Sequence, residues 1–278
     1  MKTILHTTGL RGSDTKFIEL LSVCSIVKPD IIFLNGDILP QNLSSLYLQS
    51  TYFDKLKGYI SKLSSYGKVY YQIGNYDLKI FEYELEECLK PFAKNLSNKV
   101  EQVDGLYILG CPYKPDSPYA LKDWSRMDTP LVDCPIQLSK PIISSDSDFI
   151  QISDLKDYLN SVPSIKKEMI NLLDQIPSVC HSNAIWFTHS PPAYLNLDHD
   201  NVYQLGSNAI SELISKYKPL MVNSGLAYRN ILYTDKWTMK SGSTVITQPS
   251  QIEQLLCYNI TYIDNNEVVH QYHPLNRI

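Results

Sequence analysis

Short apolar runs alternate with stretches of helical spacing along the first half of the chain. Runs of this kind predict buried strands, and apolar residues recurring on one face predict helices. The predicted elements are a strand at Lys2–Thr7, a helix with Phe17, Leu20, Leu21 and Cys24 on one face that ends near Pro29, a strand at Ile31–Asn35, an amphipathic helix from about Leu43 to Leu63, and a strand at Val69–Ile73. Such alternation is typical of a parallel α/β sheet.

The second half has a more mixed pattern. It predicts a hairpin over Val100–Cys111, a helix over Ser153–Ile176 interrupted near Pro163, a strand at Ala184–Thr188, a helix at Ser207–Tyr217, a strand at Leu220–Asn223, and antiparallel strands at Asn230–Tyr233, Thr244–Gln248, Cys257–Ile263 and Val268–Tyr272. Residues 112–148 are rich in Pro, Ser and Asp without periodicity, which predicts a long surface excursion. No sharp linker interrupts the pattern, so we expect a single domain over residues 1–278.

Composition and charge exclude several classes of protein. The 278 residues are 44% hydrophobic and 19% charged, which is ordinary for a globular chain. A net charge of −4 provides no basic surface for nucleic acid. The six cysteines form no C-x-x-C pair and are expected to be reduced. Because no signal peptide and no apolar run of about 20 residues is evident, we expect a cytoplasmic protein without a membrane span.

Polar residues recur where the predicted strands end. The five segments are TGLRGS (8–13), NGD (35–37), GNYD (74–77), FTHSPP (187–192) and SGLAY (224–228). In this order they resemble the metal-binding segments of the calcineurin-like metallophosphoesterase superfamily. LGSNAISELISKYKPL (205–220) and QPSQ (248–251) are similar to further segments of its small Icc-like members. The resemblance covers essentially the whole chain and implies an α/β fold, a four-layer α/β/β/α sandwich of two mixed β-sheets.

The resemblance also implies a degenerate metal site. Active members hold two divalent metals that clamp a phosphoryl oxygen and activate a bridging water. The positions of the first metal's ligands correspond to Gly9, Arg11, Asp37 and Tyr228. Those of the second correspond to Asp37, Asn75, His189 and Leu226. Only Asp37 suits the first metal, whereas Asp37, Asn75 and His189 remain for the second. Tyr76 stands where the family has the histidine that protonates the leaving group.

Arg11 adds a fixed positive charge where a metal ligand is missing. A guanidinium matches a carboxylate in bidentate geometry and stays protonated. We therefore hypothesise that Arg11 pairs with Asp37 and occupies the space of the first metal. Arg11 is also a candidate contact for a phosphate oxygen.

These losses predict a catalytically inactive metallophosphoesterase-like protein, a pseudoenzyme that acts as a scaffold or as a subunit of a protein assembly. No cofactor is expected beyond at most one weakly bound divalent metal, and the expected partners are proteins. Two alternatives stay open. One is a weak single-metal phosphoesterase using Asp37, Asn75 and His189, and the other is a metal-free phosphate-ligand binder through Arg11.

Local explanations stand beside these roles. Asp37 and Asn75 are residues that favour turns, where their side chains bond nearby backbone groups. A lone histidine such as His189 is more often structural than a ligand, and we expect His6, within the first strand, to be a core or edge histidine. Asp198-His199-Asp200 resembles a metal cluster, but its polar surroundings predict a solvated loop tip.

Overall fold

A computed structural model describes residues 1–41, 45, 47–129, 135–146, 148–200, 203–252, 255–264 and 267–273. The helices are α1 (Asp14–Val27), α2 (Tyr47–Ser50), α3 (Phe53–Leu63), α4 (Glu82–Leu89), α5 (Leu155–Asn160), α6 (Ile165–Leu173), α7 (Asn208–Tyr217) and α8 (Asn230–Thr234). Short 3₁₀ helices span Lys79–Phe81 and Ser178–Asn183.

The strands fall into two large sheets and three small ones. They are β1 (Lys2–Thr7), β2 (Ile31–Asn35), β3 (Lys68–Gln72), β4 (Ala93–Asn95), β5 (Lys99–Val103), β6 (Leu106–Cys111), β7 (Lys114–Pro115), β8 (Ser125–Arg126), β9 (Ile142–Ser144), β10 (Phe149–Gln151), β11 (Ala184–Thr188), β12 (His199–Asp200), β13 (Tyr203–Gln204), β14 (Met221–Ser224), β15 (Thr238–Ser241), β16 (Thr244–Thr247), β17 (Tyr258–Asp264) and β18 (Glu267–His273).

The first large sheet has the strand order β18-β17-β1-β2-β3-β4. Strands β1 to β4 are mutually parallel, and β17 pairs antiparallel with β1 and β18. All five residues of β2 are buried, which explains the continuous apolar run. Parallel strands bring their carboxyl ends to one edge of the sheet, and the segments after β1, β2 and β3 therefore lie side by side.

The second large sheet has the strand order β15-β16-β14-β11-β6-β5. Its central strands β6, β11, β14 and β16 are parallel, and β5 and β15 add antiparallel edges. This sheet also gathers the carboxyl ends of its parallel strands at one edge. The expectation of antiparallel pairing at Thr244–Gln248 is confirmed on one side only, because β16 is antiparallel to β15 and parallel to β14. The antiparallel pairing expected for the last two strands is confirmed by β17 and β18.

The two sheets face each other across an apolar layer. Phe33 of β2 and Phe187 of β11 stack with their ring centroids 3.5 Å apart, and Ile4, Ile108 and Met221 belong to the same cluster. The outer faces carry the helices, whose apolar residues share a second cluster with the outward residues of both sheets. The expected four-layer α/β/β/α sandwich of two mixed sheets is thus confirmed.

One predicted helix and one predicted strand differ from the structure. The helix expected from Leu43 to Leu63 is divided into α2 and α3, and residues 42–44 and 46 lie outside the described residues. Asn230–Tyr233, expected as a strand, is the helix α8. The buried Asn230 side chain explains this difference, because its Nδ2 donates to the Lys236 carbonyl at 2.8 Å and so closes the chain into a turn.

The expected surface excursion over residues 112–148 is at the surface only in part. Asp123, Trp124 and Lys122 are buried. Asp123 accepts hydrogen bonds from the Lys79 N–H at 2.9 Å and the Ser144 N–H at 2.8 Å, which fixes the segment against the molecule. The prediction was wrong here because polar composition predicts exposure, whereas these polar side chains have partners in the interior. Residues 130–134 and 147 lie outside the described residues.

Two global features complete the fold. Among the helices that the structure describes, none is long and apolar enough to cross a membrane. Cys24, Cys88, Cys111, Cys180 and Cys257 are free thiols, as expected for scattered cysteines, and Cys134 lies outside the described residues.

Candidate functional site

The five polar segments meet where the carboxyl ends of the two sheets' parallel strands come together. Backbone hydrogen bonds join them: the Gly9 N–H donates to the Gly36 carbonyl at 3.0 Å, and the Leu226 N–H donates to the His189 carbonyl at 2.7 Å. The Thr8 hydroxyl lies 2.8 Å from the Asn35 carbonyl and 3.0 Å from the Gly225 carbonyl. Strand ends that are distant in sequence therefore form one continuous site.

Asp37 lies at the centre of this site and is fully buried. Gly36 and Asp37 both have left-handed backbone angles, with φ of 80° and 52°, which turn the chain sharply after β2. Asp37 Oδ1 accepts a hydrogen bond from the Tyr76 N–H at 2.7 Å, whereas Oδ2 is buried without a hydrogen-bond partner. Burial raises the pKa of this carboxyl, and the nearby charge of Arg11, the Tyr76 N–H and the charge of Lys114 oppose that rise.

His189 is a buried, neutral imidazole. Its Nε2 accepts a hydrogen bond from the Asn75 N–H at 3.0 Å, and its Nδ1 lies 3.4 Å from the Asn35 carbonyl oxygen. The proton therefore belongs on Nδ1, because a backbone N–H can only donate. Burial lowers the pKa of His189 to about 3. The Nε2 lone pair that a metal would need is thus shared with a backbone amide, 3.8 Å from Asp37 Oδ1.

Gly9, Arg11 and Tyr228, the residues that the resemblance assigns to a first metal, pack tightly against one another. Gly9 has φ of 61°, and a Cβ on it would overlap Cε1 of the Tyr228 ring. The guanidinium carbon of Arg11 lies 3.6 Å from the centroid of the same ring. A cation over an aromatic face at this distance is a favourable contact. Gly9, Tyr228 and Arg11 therefore form one interlocked group.

The proposed ion pair between Arg11 and Asp37 is absent. Across the described part of the chain, no ion pair within 4.0 Å joins these two side chains, and the partner of Asp37 at that distance is His189. Their backbones do meet, since the Arg11 N–H donates to the Asp37 carbonyl at 2.9 Å. The pairing hypothesis was wrong as a contact because the Tyr228 ring holds the guanidinium. Arg11 still lowers the pKa of Asp37 through space.

Lys114 is a second cation near Asp37. It is buried, and its Nζ donates to Ser117 Oγ at 2.8 Å. Burial lowers the pKa of Lys114 to about 7, the charge of Lys122 lowers it too, and the carboxylates of Asp116 and Asp37 oppose the decrease. Two protein cations therefore act on the carboxylate that would bridge two metals in the family.

Asp77 joins the loops after β2 and β3. Its carboxylate accepts hydrogen bonds from the N–H groups of Leu39 at 2.8 Å, Gly74 at 2.8 Å and Ile38 at 3.3 Å. Burial raises the pKa of Asp77, and the neighbouring Asp37 raises it further. These contacts hold the Gly-Asn-Tyr-Asp loop against the Asn-Gly-Asp loop.

A small cavity, the central cleft, remains between Arg11, Asn75, Tyr76, Lys114 and Leu226. Its volume is about 30 Å³, whereas small-molecule sites usually have volumes of about 300–1,000 Å³. The central cleft thus has room for water but not for a phosphate ester in the conformation described.

Known structures share this architecture. TT1561 of Thermus thermophilus superposes with a TM-score of 0.56 at 13% identity, with 97% of this chain and 98% of that chain covered. A dimetal phosphatase from Danio rerio superposes with a TM-score of 0.60 at 10% identity, with 98% and 95% covered. No protein-family model matches the chain, and no curated protein sequence matches it. The chain has the metallophosphoesterase fold.

Within the metallophosphoesterase fold, the residues present do not fit a two-metal centre. In the described ranges, no group of three His, Cys, Asp or Glu side chains could hold a metal ion. Gly9 and Arg11 offer no ligand atom, and the Tyr228 hydroxyl is buried without a partner in a ring packed on Gly9. The second position is different: Asp37 Oδ2 and Asn75 Oδ1 are buried acceptors without a partner near His189. These oxygens fit a single hard cation.

The other predicted residues have varied surroundings. Tyr76 is partly buried, with its ring centroid 5.2 Å from the Arg11 guanidinium carbon, and Leu226 is buried. His6 is a core histidine, as expected, and burial lowers its pKa to about 3. The solvated tip predicted at 198–200 is wrong, because Asp198 is fully buried and Asp200 lines the central cleft.

Sequence reasoning missed Lys114, Lys16 and Asp77. A signal existed for Lys114, since it comes shortly after the end of β6, as Asp37 comes shortly after the end of β2. Lys16 shares a helical face with Leu20 and Cys24 at a spacing of four residues, and a lysine on an apolar face indicates a buried charge. For Asp77 the sequence offers only the Gly-Asn-Tyr-Asp motif, because its three hydrogen bonds to backbone N–H groups depend on how two loops meet.

Proposed function

We propose that this chain is a non-catalytic metallophosphoesterase-like protein, a pseudoenzyme that serves as a scaffold or as a subunit of a protein assembly. The observation that carries the proposal is the interlocked group at the first metal's position, where the Tyr228 ring lies against Gly9 and beneath Arg11. A two-metal mechanism needs both cations to clamp the phosphoryl oxygens and activate water. With this space filled, the fold retains its frame without that chemistry.

The electrostatics of the site support the same proposal. A metal-binding carboxylate cluster is stabilised by its cations, and here the charges of Arg11 and Lys114 act on Asp37 instead. Neither side chain has an open coordination position at which water could be activated. The small volume of the central cleft also supports the proposal, because the protein's own side chains fill most of the site.

Metal content and hydrolysis provide the test of inactivity. The full chain is loaded with Mn²⁺, freed of excess metal and analysed for bound metal. Hydrolysis of p-nitrophenyl phosphate and bis(p-nitrophenyl) phosphate is then measured beside His189→Ala. We expect substoichiometric metal and equal background rates for the two proteins. Stoichiometric metal with hydrolysis that disappears in His189→Ala would overturn the proposal.

A second candidate is a weak single-metal phosphoesterase. One observation favours it: the orphaned oxygens of Asp37 and Asn75 lie beside His189, and a single divalent cation would satisfy them. The same experiment separates the candidates, because this one requires stoichiometric metal that is lost in Asp37→Asn as well as in His189→Ala.

The assembly role needs a separate test. The tagged chain is isolated from its source cell and its molar mass is measured by light scattering after size exclusion. We expect a complex with a constant ratio of this chain to its partners across the peak. Elution as the bare chain alone would contradict a scaffold role.

A further inference from the structure

A second cavity, the lateral cavity, lies beside the central cleft on the side of α1. Its walls include Arg11, Lys16, Tyr228 and Arg229, and its volume is about 450 Å³. None of Asp37, Asn75 and His189 lines it. Its volume falls within the usual range for small-molecule sites, unlike that of the central cleft.

The charge of the lateral cavity is strongly one-sided. Arg11, Lys16 and Arg229 line it, and among the residues that the structure describes no Asp or Glu does. In the described part of the chain, no carboxylate lies within 4.0 Å of these three cations in an ion pair. The nearby Asp200 lines the central cleft instead, and the charges of Arg229 and Arg11 act on its carboxylate through space.

Lys16 makes one long hydrogen bond, and Arg11 has a buried donor without a partner. Lys16 is 5% exposed, and its Nζ lies 3.5 Å from the Gly9 carbonyl oxygen, at the long limit of a hydrogen bond. The Arg11 Nε is buried without a partner. Burial lowers the pKa of Lys16 to about 8; the Cys257 thiol and Glu19 raise it, and Arg11 lowers it. Two desolvated cations that repel each other gain free energy when an anion lies between them.

The N-terminus of α1 adds to this anion preference. Ser13, which caps the helix, lines the lateral cavity. Helix N-termini attract anions through their free N–H groups and the helix dipole. The carboxylate of Asp14 in the first turn does not compete, because it forms an ion pair with Lys55 and accepts hydrogen bonds from Tyr52 and Tyr59.

We propose that the lateral cavity binds a small organic oxyanion, a phosphate monoester or a dicarboxylate, with its anionic group between Arg11 and Lys16. The half-exposed Leu232 and Tyr233 also line the cavity and provide an apolar surface for the organic part. This site shares Arg11 and Tyr228 with the position of the first metal, but it uses none of the residues Asp37, Asn75 and His189, and it goes beyond the proposed function. The proposal of anion binding does not depend on whether the central cleft binds a metal.

Calorimetric titration of the full chain provides the test, with inorganic phosphate, phenyl phosphate and succinate as probes at low ionic strength. We expect phenyl phosphate or succinate to bind more tightly than inorganic phosphate. Lys16→Gln and Arg229→Gln each remove one charged contact and should weaken binding at least about tenfold. The exposed Lys57 on α3 supplies the matched control, since Lys57→Gln makes the same change in net charge elsewhere.

Several outcomes would overturn the proposal. Wild-type affinity in both Lys16→Gln and Arg229→Gln would place binding elsewhere, as would equal losses in Lys57→Gln. Loss of binding in His189→Ala alone would assign the anion to the central cleft. Binding of none of the three probes would remove the site. Because Arg229 is exposed, its variant remains informative even when replacement of the buried Lys16 prevents folding.

Discussion

At the scale of single residues, the identity of Gly9 is tied to that of Tyr228. The left-handed φ of 61° favours glycine, and the approach of the tyrosine ring leaves no room for a Cβ. The resemblance to the family indicates only a missing metal ligand at position 9, whereas the structure shows a backbone position against which a ring is packed. Arg11 then stacks on the face of that ring. The three residues depend on one another, which makes their coupling measurable.

Replacing Gly9 with alanine should lower the free energy of unfolding by about 1–3 kcal/mol, because the Tyr228 ring must move and the backbone angle is strained. Chemical denaturation measures the change. In a Tyr228→Ala background, Gly9→Ala should lower the free energy of unfolding by less, because the new Cβ no longer overlaps the tyrosine ring. Gly58→Ala is the control: a Cβ at this helical position meets nothing within 4 Å, and we expect stabilisation of about 0.5–1 kcal/mol.

Arg11 should couple more strongly to Tyr228 than to Asp37. A double-mutant cycle with Arg11→Met and Tyr228→Leu should yield a coupling free energy of about 0.5–2 kcal/mol, as expected for a cation over an aromatic face. The cycle of Arg11→Met with Asp37→Asn should yield less, because the two charges do not touch. A larger coupling to Asp37 would restore the ion-pair hypothesis.

At the scale of elements, the site is a consequence of parallel strands. The carboxyl ends of β1, β2 and β3 meet at one edge of the first sheet, and those of β6, β11 and β14 meet at one edge of the second. Loops at these edges hold one another through backbone hydrogen bonds. Asp77 is the main side-chain connection between the loops after β2 and β3. The frame of the site is therefore stabilised independently of any metal.

Asp77→Ala should destabilise the protein by about 2–4 kcal/mol, because the N–H groups of Ile38, Leu39 and Gly74 lose a buried acceptor. Thermal and denaturant unfolding measure this loss. Asp77→Asn should lose less, since the amide oxygen still accepts a hydrogen bond. Equal stability of the alanine variant and the wild type would show that the two loops are held by other contacts.

At the scale of the whole molecule, the burial of ionisable groups affects the free energy of unfolding. Asp37, Asp77, Lys114 and Lys16 are all buried in a protein whose net charge is only −4. Burial raises the pKa of the two carboxyls and lowers that of the two amines. Because the pKa of each group differs between the folded and the unfolded chain, each group makes the free energy of unfolding depend on pH.

Lys114 leads to a specific pH prediction. Its pKa is lowered from 10.5 to about 7, so between these values the unfolded chain binds more protons than the folded chain. Stability from this group therefore rises with pH above about 7, with a slope approaching about 1.4 kcal/mol per pH unit. Denaturant unfolding of wild type and Lys114→Met between pH 7 and 9 should show a smaller slope for the variant. Lys57→Met should retain the wild-type slope, and equal slopes in all three proteins would contradict the prediction.

Much of the architecture follows from local pattern. The strands predicted at Ile31–Asn35 and Ala184–Thr188 match β2 and β11, because parallel strands buried on both faces require nearly continuous apolar runs. The helix at Asn230 was missed because its short run of residues, NILYT, has an apolar pattern that also suits a strand. Its conformation depends on the bonds of the Asn230 side chain to distant carbonyls.

The lack of metal-ligating side chains at positions 9, 11 and 226 is present in the order of residues alone, since Gly9, Arg11 and Leu226 offer no ligand atom in any fold. The order of polar segments after apolar runs also determines that they share one edge of the sandwich. What occupies that edge is decided by tertiary structure. The Tyr228 ring reaches Gly9, and Lys114 approaches Asp37, only after the two sheets have closed upon each other. Contacts between residues so distant in sequence depend on side-chain volume and burial, which no local pattern encodes.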